Sequence, residues 1–230
     1  MIIEKIIRRL KKDPNYKWDS QYTARDLLVI VYERSKQIFR GFIRRIFFKD
    51  AKGLLFIGRN VKIKHAYKLK AGTNLILDDN VYINAIAAEG INIGDNVSIG
   101  RNSILMASHV IADKGVGISI GNGTGINAHA FLGGQGGIYI GDNVIIGPYV
   151  KIFSENHNFD KLDQLIKNQG VTKKSVHING NCWIGSGVII LAGVTIGEGC
   201  IVAAGSVVTK SFPANVIIGG TPAKILKERS

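Results

Sequence analysis

The chain has 230 residues, enough to bury roughly 70% of the surface its unfolded form exposes, so neither disulfides nor a structural metal is needed to hold it folded. Its 28 glycines and four prolines exclude collagen and proline-rich disorder, and two cysteines, Cys182 and Cys200, are too few for a secreted disulfide scaffold. The net charge of +13 comes entirely from residues 1–70, which hold 19 Lys and Arg against six acidic residues, while residues 71–230 hold 11 of each. The basic excess therefore belongs to a leading segment and gives no reason to expect nucleic acid as a partner of the body.

The leader, residues 1–55, reads as two or three short amphipathic helices. Ile2, Ile3, Ile6, Ile7 and Leu10 recur at helical spacing with Lys5, Arg8 and Arg9 between them. A second stretch, QIFRGFIRRIFF, repeats apolar pairs at 38/39, 42/43 and 46/47 with Arg40, Arg44 and Arg45 on the other face. Such helices either cap the open end of the body or dock residues 1–50 on an anionic membrane. No signal-peptide core is visible, and the longest apolar run, Leu27 to Tyr32, is too short to span a bilayer. The chain is therefore expected in the cytoplasm, soluble or peripheral on the inner face of the membrane.

From Ile57 onward an aliphatic residue recurs every six positions, often followed by Gly: IGRNVK at Ile57, IGDNVS at Ile93, IGDNVI at Ile140, IGSGVI at Ile184, IGEGCI at Ile196. The starts fall at 57, 63, 69; 77, 83, 93; 99, 105, 111; 120, 126, 132; 140, 146, 152; 178, 184, 190; and 196, 202, 208, which makes seven sets of three. A period of six in sets of three predicts a three-sided parallel solenoid of about seven coils over 56–213. Aliphatic first positions and small fifth positions would face inward, with insertions leaving from one corner. The largest insertion is 158–177. Cys182 and Cys200 both occupy fifth positions and are expected as buried spacers stacked on adjacent coils.

These hexads resemble the hexapeptide-repeat acyltransferases, which implies a mainly β fold, a left-handed parallel β-helix with an N-terminal helical segment. The segment KIFSENHNFDKLDQLIKNQGVTKKSVHINGNCWIG looks like the catalytic stretch of the sugar O-acetyltransferases of that family. It puts His157 in the position of general base, a task for which an imidazole titrating near pH 6.5 is suited. Glu155 or a main-chain carbonyl would orient the ring. The resemblance also implies direct transfer without an acyl-enzyme, backbone groups near Ser186 close to the thioester, and Asn127, His129 and Trp183 as candidate acceptor contacts. His129 departs from the family's usual Asn, and Trp183 reads equally as a lid on the solenoid corner.

The end of the chain, 214–230, resembles the family's coenzyme A tail. Ala204 would let a thin pantetheine arm lie along the coil, Thr209 matches the family's final coil as a further donor-site residue, and Lys210, Lys224 and Lys227 match basic positions that meet the donor's phosphates. The expected activity is acetyl transfer from acetyl-CoA to a sugar hydroxyl, of a bacterial surface polysaccharide or its precursor, by a homotrimer. N-acetylation of an amino-sugar nucleotide and a non-catalytic scaffold are the alternatives. His65, His109, His129 and His177 are scattered over different coils, so no metal is expected.

Overall fold

The computed structural model describes Arg8 and residues 21–229. Apart from Arg8, the helix expected over residues 1–12 lies outside the described residues. The leader's second stretch is a single helix, α1, Ala24–Arg44, followed by a 3-10 turn Arg45–Phe47. The expectation of short separate helices missed its start, because the apolar run Leu27–Tyr32 is helical as well. A capping box fixes that start: Thr23 Oγ1 accepts from Asp26 N, and the Asp26 carboxylate accepts from Thr23 N at 2.8 Å.

Helix α1 packs on the strand Leu55–Ile57 in the first coil of the solenoid, with Gly41 as its buried residue. A methyl there would stand 2.0 Å from Leu55 O, so the close approach depends on the absence of a side chain. Arg40 donates to Ile57 O at 2.7 Å, and Arg45 donates to the carbonyls of Ala51 and Gly53. These are edge groups of the first coil, and covering them is how the leader blocks pairing with another chain. Two of the three arginines on the polar face of this stretch are thus engaged with the solenoid. No helix among the described residues is long and apolar enough to cross a membrane.

The body is a three-sided parallel β-helix. Face A stacks Asp50–Ala51, Leu69–Ala71, Gly90–Ile93, Gly117–Ile120, Ile138–Ile140, Val176–Ile178 and Thr195–Ile196. Face B runs from Leu55–Ile57 to Ile201–Val202, and face C from Lys62–Lys64 to Val207–Val208. Each face therefore contributes a strand to seven coils. The first coil begins at Asp50, earlier than the hexad pattern suggested, because Ala51 pairs with Ala71 on face A. Face B gains Val216–Gly220, parallel to Ile201–Val202, and then Ala223–Glu228, which returns antiparallel.

The six-residue period has two physical sources. Inward aliphatics such as Leu77, Ile99, Ile126, Ile146, Ile184 and Val202 stack on face B with almost no exposure, and Cys182 and Cys200 fill buried small positions between them. At the corner between faces A and B, polar side chains tie one coil to the next. Thr73 N donates to Asp95 Oδ1 at 2.7 Å, Asp95 N to Asn122 Oδ1 at 2.8 Å, and Asn122 N to Asp142 Oδ1 at 2.6 Å. This ladder explains the recurring Gly-Asp-Asn. The Asp satisfies a backbone donor of its neighbour, and the Asn tolerates the left-handed turn, as at Asn96 and Asn143.

Twenty of the 21 hexad starts fall on solenoid strands. The exception is Ile111, which is fully exposed in a loop, 107–116, that leaves the coil between faces C and A. Every other insertion leaves from that same corner: the turn at 65–68, residues 85–89, the turn 134–137 and the long excursion 154–175. The step from Ile83 to Ile93, irregular in the sequence pattern, is one of these. The excursion is rooted at Ser154 and ends at Ser175, so His177 belongs to a face A strand, stacked on Tyr139.

Candidate active site

The excursion opens with a hairpin in which Glu155–His157 pairs antiparallel with Val171–Lys173, placing Glu155 opposite Lys173 and His157 opposite Val171. Its root is fixed from below. Ser154 Oγ is buried, accepts from Gly136 N at 2.8 Å and donates to Gly133 O at 2.6 Å, while Lys174 N donates to Ser154 O at 3.0 Å. Beyond the hairpin, the Gln169 amide closes the loop on the backbone of Lys161 and Gln164. His157 is therefore an exposed imidazole on a braced projection, in reach of solvent and of anything entering the corner.

Glu155 does not orient His157. Its carboxylate lies 2.9 Å from His109 Nε2, on loop 107–116. In the sequence His109 stands only among scattered histidines, because the six-residue spacing from Leu105 to Ile111 disguises this loop as solenoid. Gln135, buried on the intervening turn, accepts from His109 N at 3.4 Å and donates to Asp113 O at 2.5 Å.

The other expected site residues stand elsewhere. Asn127, His129, Ser186 and Ala204 lie at the corner between faces B and C, not on the edge that bears His157. Asn127 is committed to Ile146 O at 3.1 Å. His129 occupies a left-handed corner position with φ of 63° and stacks on Tyr149 at 4.7 Å. The equivalent positions are Asn60, Asn80 and Asn102 before it and Tyr149, Gly187 and Gly205 after it. Methyls added to these two glycines would meet nothing within 4 Å, so the last two coils leave open space along this corner.

Trp183 is 54% exposed on the flat of face B, between Ile145 and Ile201 in register, and so is no lid on a corner. Thr209 and Lys210 follow the last face C strand, with Lys210 Nζ 5.8 Å from the Phe212 ring centre. Lys224 and Lys227 are exposed on the returning strand that extends face B. The three lysines therefore form no single cluster within one chain. Burial pushes the Cys182 thiol up to about 11, which keeps it protonated at neutral pH and ill-suited to nucleophilic attack. Among the described residues no group of three His, Cys, Asp or Glu is placed to hold a metal ion.

Residues 175–210, the two coils above the hairpin, match the model of the bacterial transferase hexapeptide, six repeats. Over these coils the chain resembles the hexapeptide-repeat transferases. The chain is similar to the galactoside O-acetyltransferase of Lactococcus lactis, with 34% identity over 130 residues, 56% of this chain and 62% of that one. It is also similar to the galactoside O-acetyltransferase of Escherichia coli, with 41% identity over 91 residues, 40% of this chain and 44% of the other. The chain spans about half the length of the curated relatives it matches. Among solved structures, a variant of AntD, an N-acyltransferase from Bacillus cereus in complex with dTDP-4-amino-4,6-dideoxyglucose and coenzyme A, superposes with a TM-score of 0.54. That match has 20% identity and covers 83% of this chain and 89% of the other, which establishes the shared left-handed β-helix.

Proposed function

We propose that the chain transfers an acetyl group from acetyl-CoA to a sugar hydroxyl, with His157 as general base and no covalent intermediate on the protein. The observation that carries this reading is His157 itself, an exposed imidazole held on a braced hairpin at the corner from which all the insertions leave. The imidazole takes the hydroxyl proton as the acceptor oxygen attacks the thioester carbonyl. An oxyanion forms and is met by backbone N–H groups near Ser186. Its collapse expels the coenzyme A thiolate, which takes the proton from the imidazolium.

The donor runs along the corner between faces B and C, where Ala204, Gly187 and Gly205 leave room for a pantetheine arm. Because His157 and this groove stand at different corners of the prism, a site that uses both takes one from each of two copies. The homotrimer supplies that arrangement, with the ladder of exposed Ile145 and Trp183 and half-buried Ile201 beside the groove as a wall. The named relatives act on galactosides, which favours a saccharide acceptor.

The test is release of free thiol from acetyl-CoA in the presence of neutral sugars and, separately, amino-sugar nucleotides. Thiol release with a neutral sugar is the expected result. Activity confined to an amino-sugar nucleotide would replace O-transfer by N-transfer, and a protein inert to the whole panel would be a scaffold. In the same assay, replacing Lys224 and Lys227 together with Ala should raise the Michaelis constant for acetyl-CoA about fivefold, the scale of a partly solvated phosphate contact. An acetyl-pantetheine thioester, lacking the phosphates beyond that arm, should show no such change, and an equal rise for both donors would remove these lysines from the donor site.

A further inference from the structure

Loop 107–116 and the His157 hairpin leave the solenoid two coils apart, yet they are joined by two charged contacts. Glu155 meets His109 at 2.9 Å, and Lys173 Nζ meets Asp113 Oδ1 at 2.5 Å and the carbonyl of Lys114 at 3.1 Å. Glu155 and Lys173 are directly opposed in the hairpin register. Opposed residues of an antiparallel pair share a face, and residues two apart on a strand share it too. The face of the hairpin that grips the loop is therefore the face that carries His157, two pairs further from the root.

The loop can resist that pull because it is itself anchored. Gln135 holds it from inside the corner through His109 N and Asp113 O. Asn84 Nδ2 donates to Ser108 O at 2.9 Å, Gly115 N donates to Ser108 Oγ at 3.0 Å, and Ala88 N and Glu89 N donate to Gly115 O and Val116 O. The hairpin, by contrast, projects beyond the coil stack and has backbone pairing only with its own second strand. Without the two contacts its tilt about the Ser154 root would be unconstrained on the His157 side.

We infer that His109–Glu155 and Asp113–Lys173 form a latch that sets the tilt of the hairpin, and that all four are positioning residues for His157. This rests on the reading of His157 as base. It assigns the loop a part in the active site, as the second wall of the cleft that His157 faces. A base must lie within hydrogen-bond reach of the hydroxyl, so a small change in tilt costs turnover while leaving the donor groove on the other corner untouched.

Charge reversal tests the latch with the full-length protein. Lys173→Asp and Asp113→Lys should each lower kcat about tenfold, leave the Michaelis constant for acetyl-CoA unchanged, and speed tryptic cleavage at Lys161 and Lys167 in the loosened excursion. The double reversal should restore both kcat and protease resistance to within about twofold. His109→Gln, which keeps an amide donor for Glu155, should retain more activity than His109→Ala. Undiminished kcat in both single reversals, or a double reversal no better than its parents, would overturn the inference. His157→Ala measured alongside separates the two ideas. An active His157→Ala sinks the base assignment, whereas an inactive one beside fully active reversals sinks only the latch.

Discussion

Replacing His157 with alanine should lower turnover at saturating acceptor by at least about 100-fold, the lower bound of what a positioned general base contributes. The side chain is exposed, and its loss removes no core packing, so the melting temperature should hardly move. Donor affinity should also be unchanged, because the proposed groove for acetyl-CoA runs along a different corner. The kinetic signature is thus a fall in kcat and kcat/KM together, as for an interaction made in the transition state. Near-normal turnover would remove His157 from the chemistry and leave His109, the imidazole held by Glu155, as the next residue to examine.

Gly136→Ala should impair both stability and activity, although the residue touches no substrate. A methyl at this position would lie 2.0 Å from Ser154 O and 2.9 Å from Lys174 N, inside the hydrogen bond that closes the root of the excursion. Backbone atoms cannot swing aside as a flexible side chain can, so the hairpin base must shift. Overpacking of this kind costs about 1–3 kcal/mol, or roughly 3–10 °C in Tm for a chain of this size. A displacement near 1 Å at the root reaches His157 and should lower turnover by tenfold or more. Gly125→Ala is the control, since its methyl would meet only Ser98 Oγ at 3.6 Å. Equal activity in the two variants, measured with Tm by calorimetry, would show that the root does not position the base.

The contrast between these glycines bears on what can be read from a linear chain. The hexad pattern determined the three-sided coil, the inward positions and the burial of Cys182 and Cys200, because each is set by side chains six residues apart along one strand path. It also placed His157 beside the long excursion, although the regular coil already ends at Phe153 and His157 stands on the excursion itself. Periodicity failed at Ile111, where an aliphatic residue at the right spacing concealed a loop. The polar run Ala112-Asp113-Lys114-Gly115 and the lack of a glycine after Ile111 were the signals against it.

What only the tertiary structure decided was which corner each residue occupies and what it meets there. Glu155 lies two residues from His157 and invites a local pairing, yet on a strand that spacing points both side chains the same way without bringing them together. The carboxylate instead meets His109, 46 positions earlier in the chain, because two excursions from one corner of the solenoid fold back against each other. His129 is near His157 by the counting of coils, but it stands at another edge of the prism. In the sequence Arg40 and Arg45 could serve either a cap or a lipid surface, and in the fold the edge carbonyls of the first coil claim them. A repeat fixes its own interior through near-neighbour packing, whereas contacts made by its insertions and its ends depend on stacking distance and direction, which no local spacing encodes.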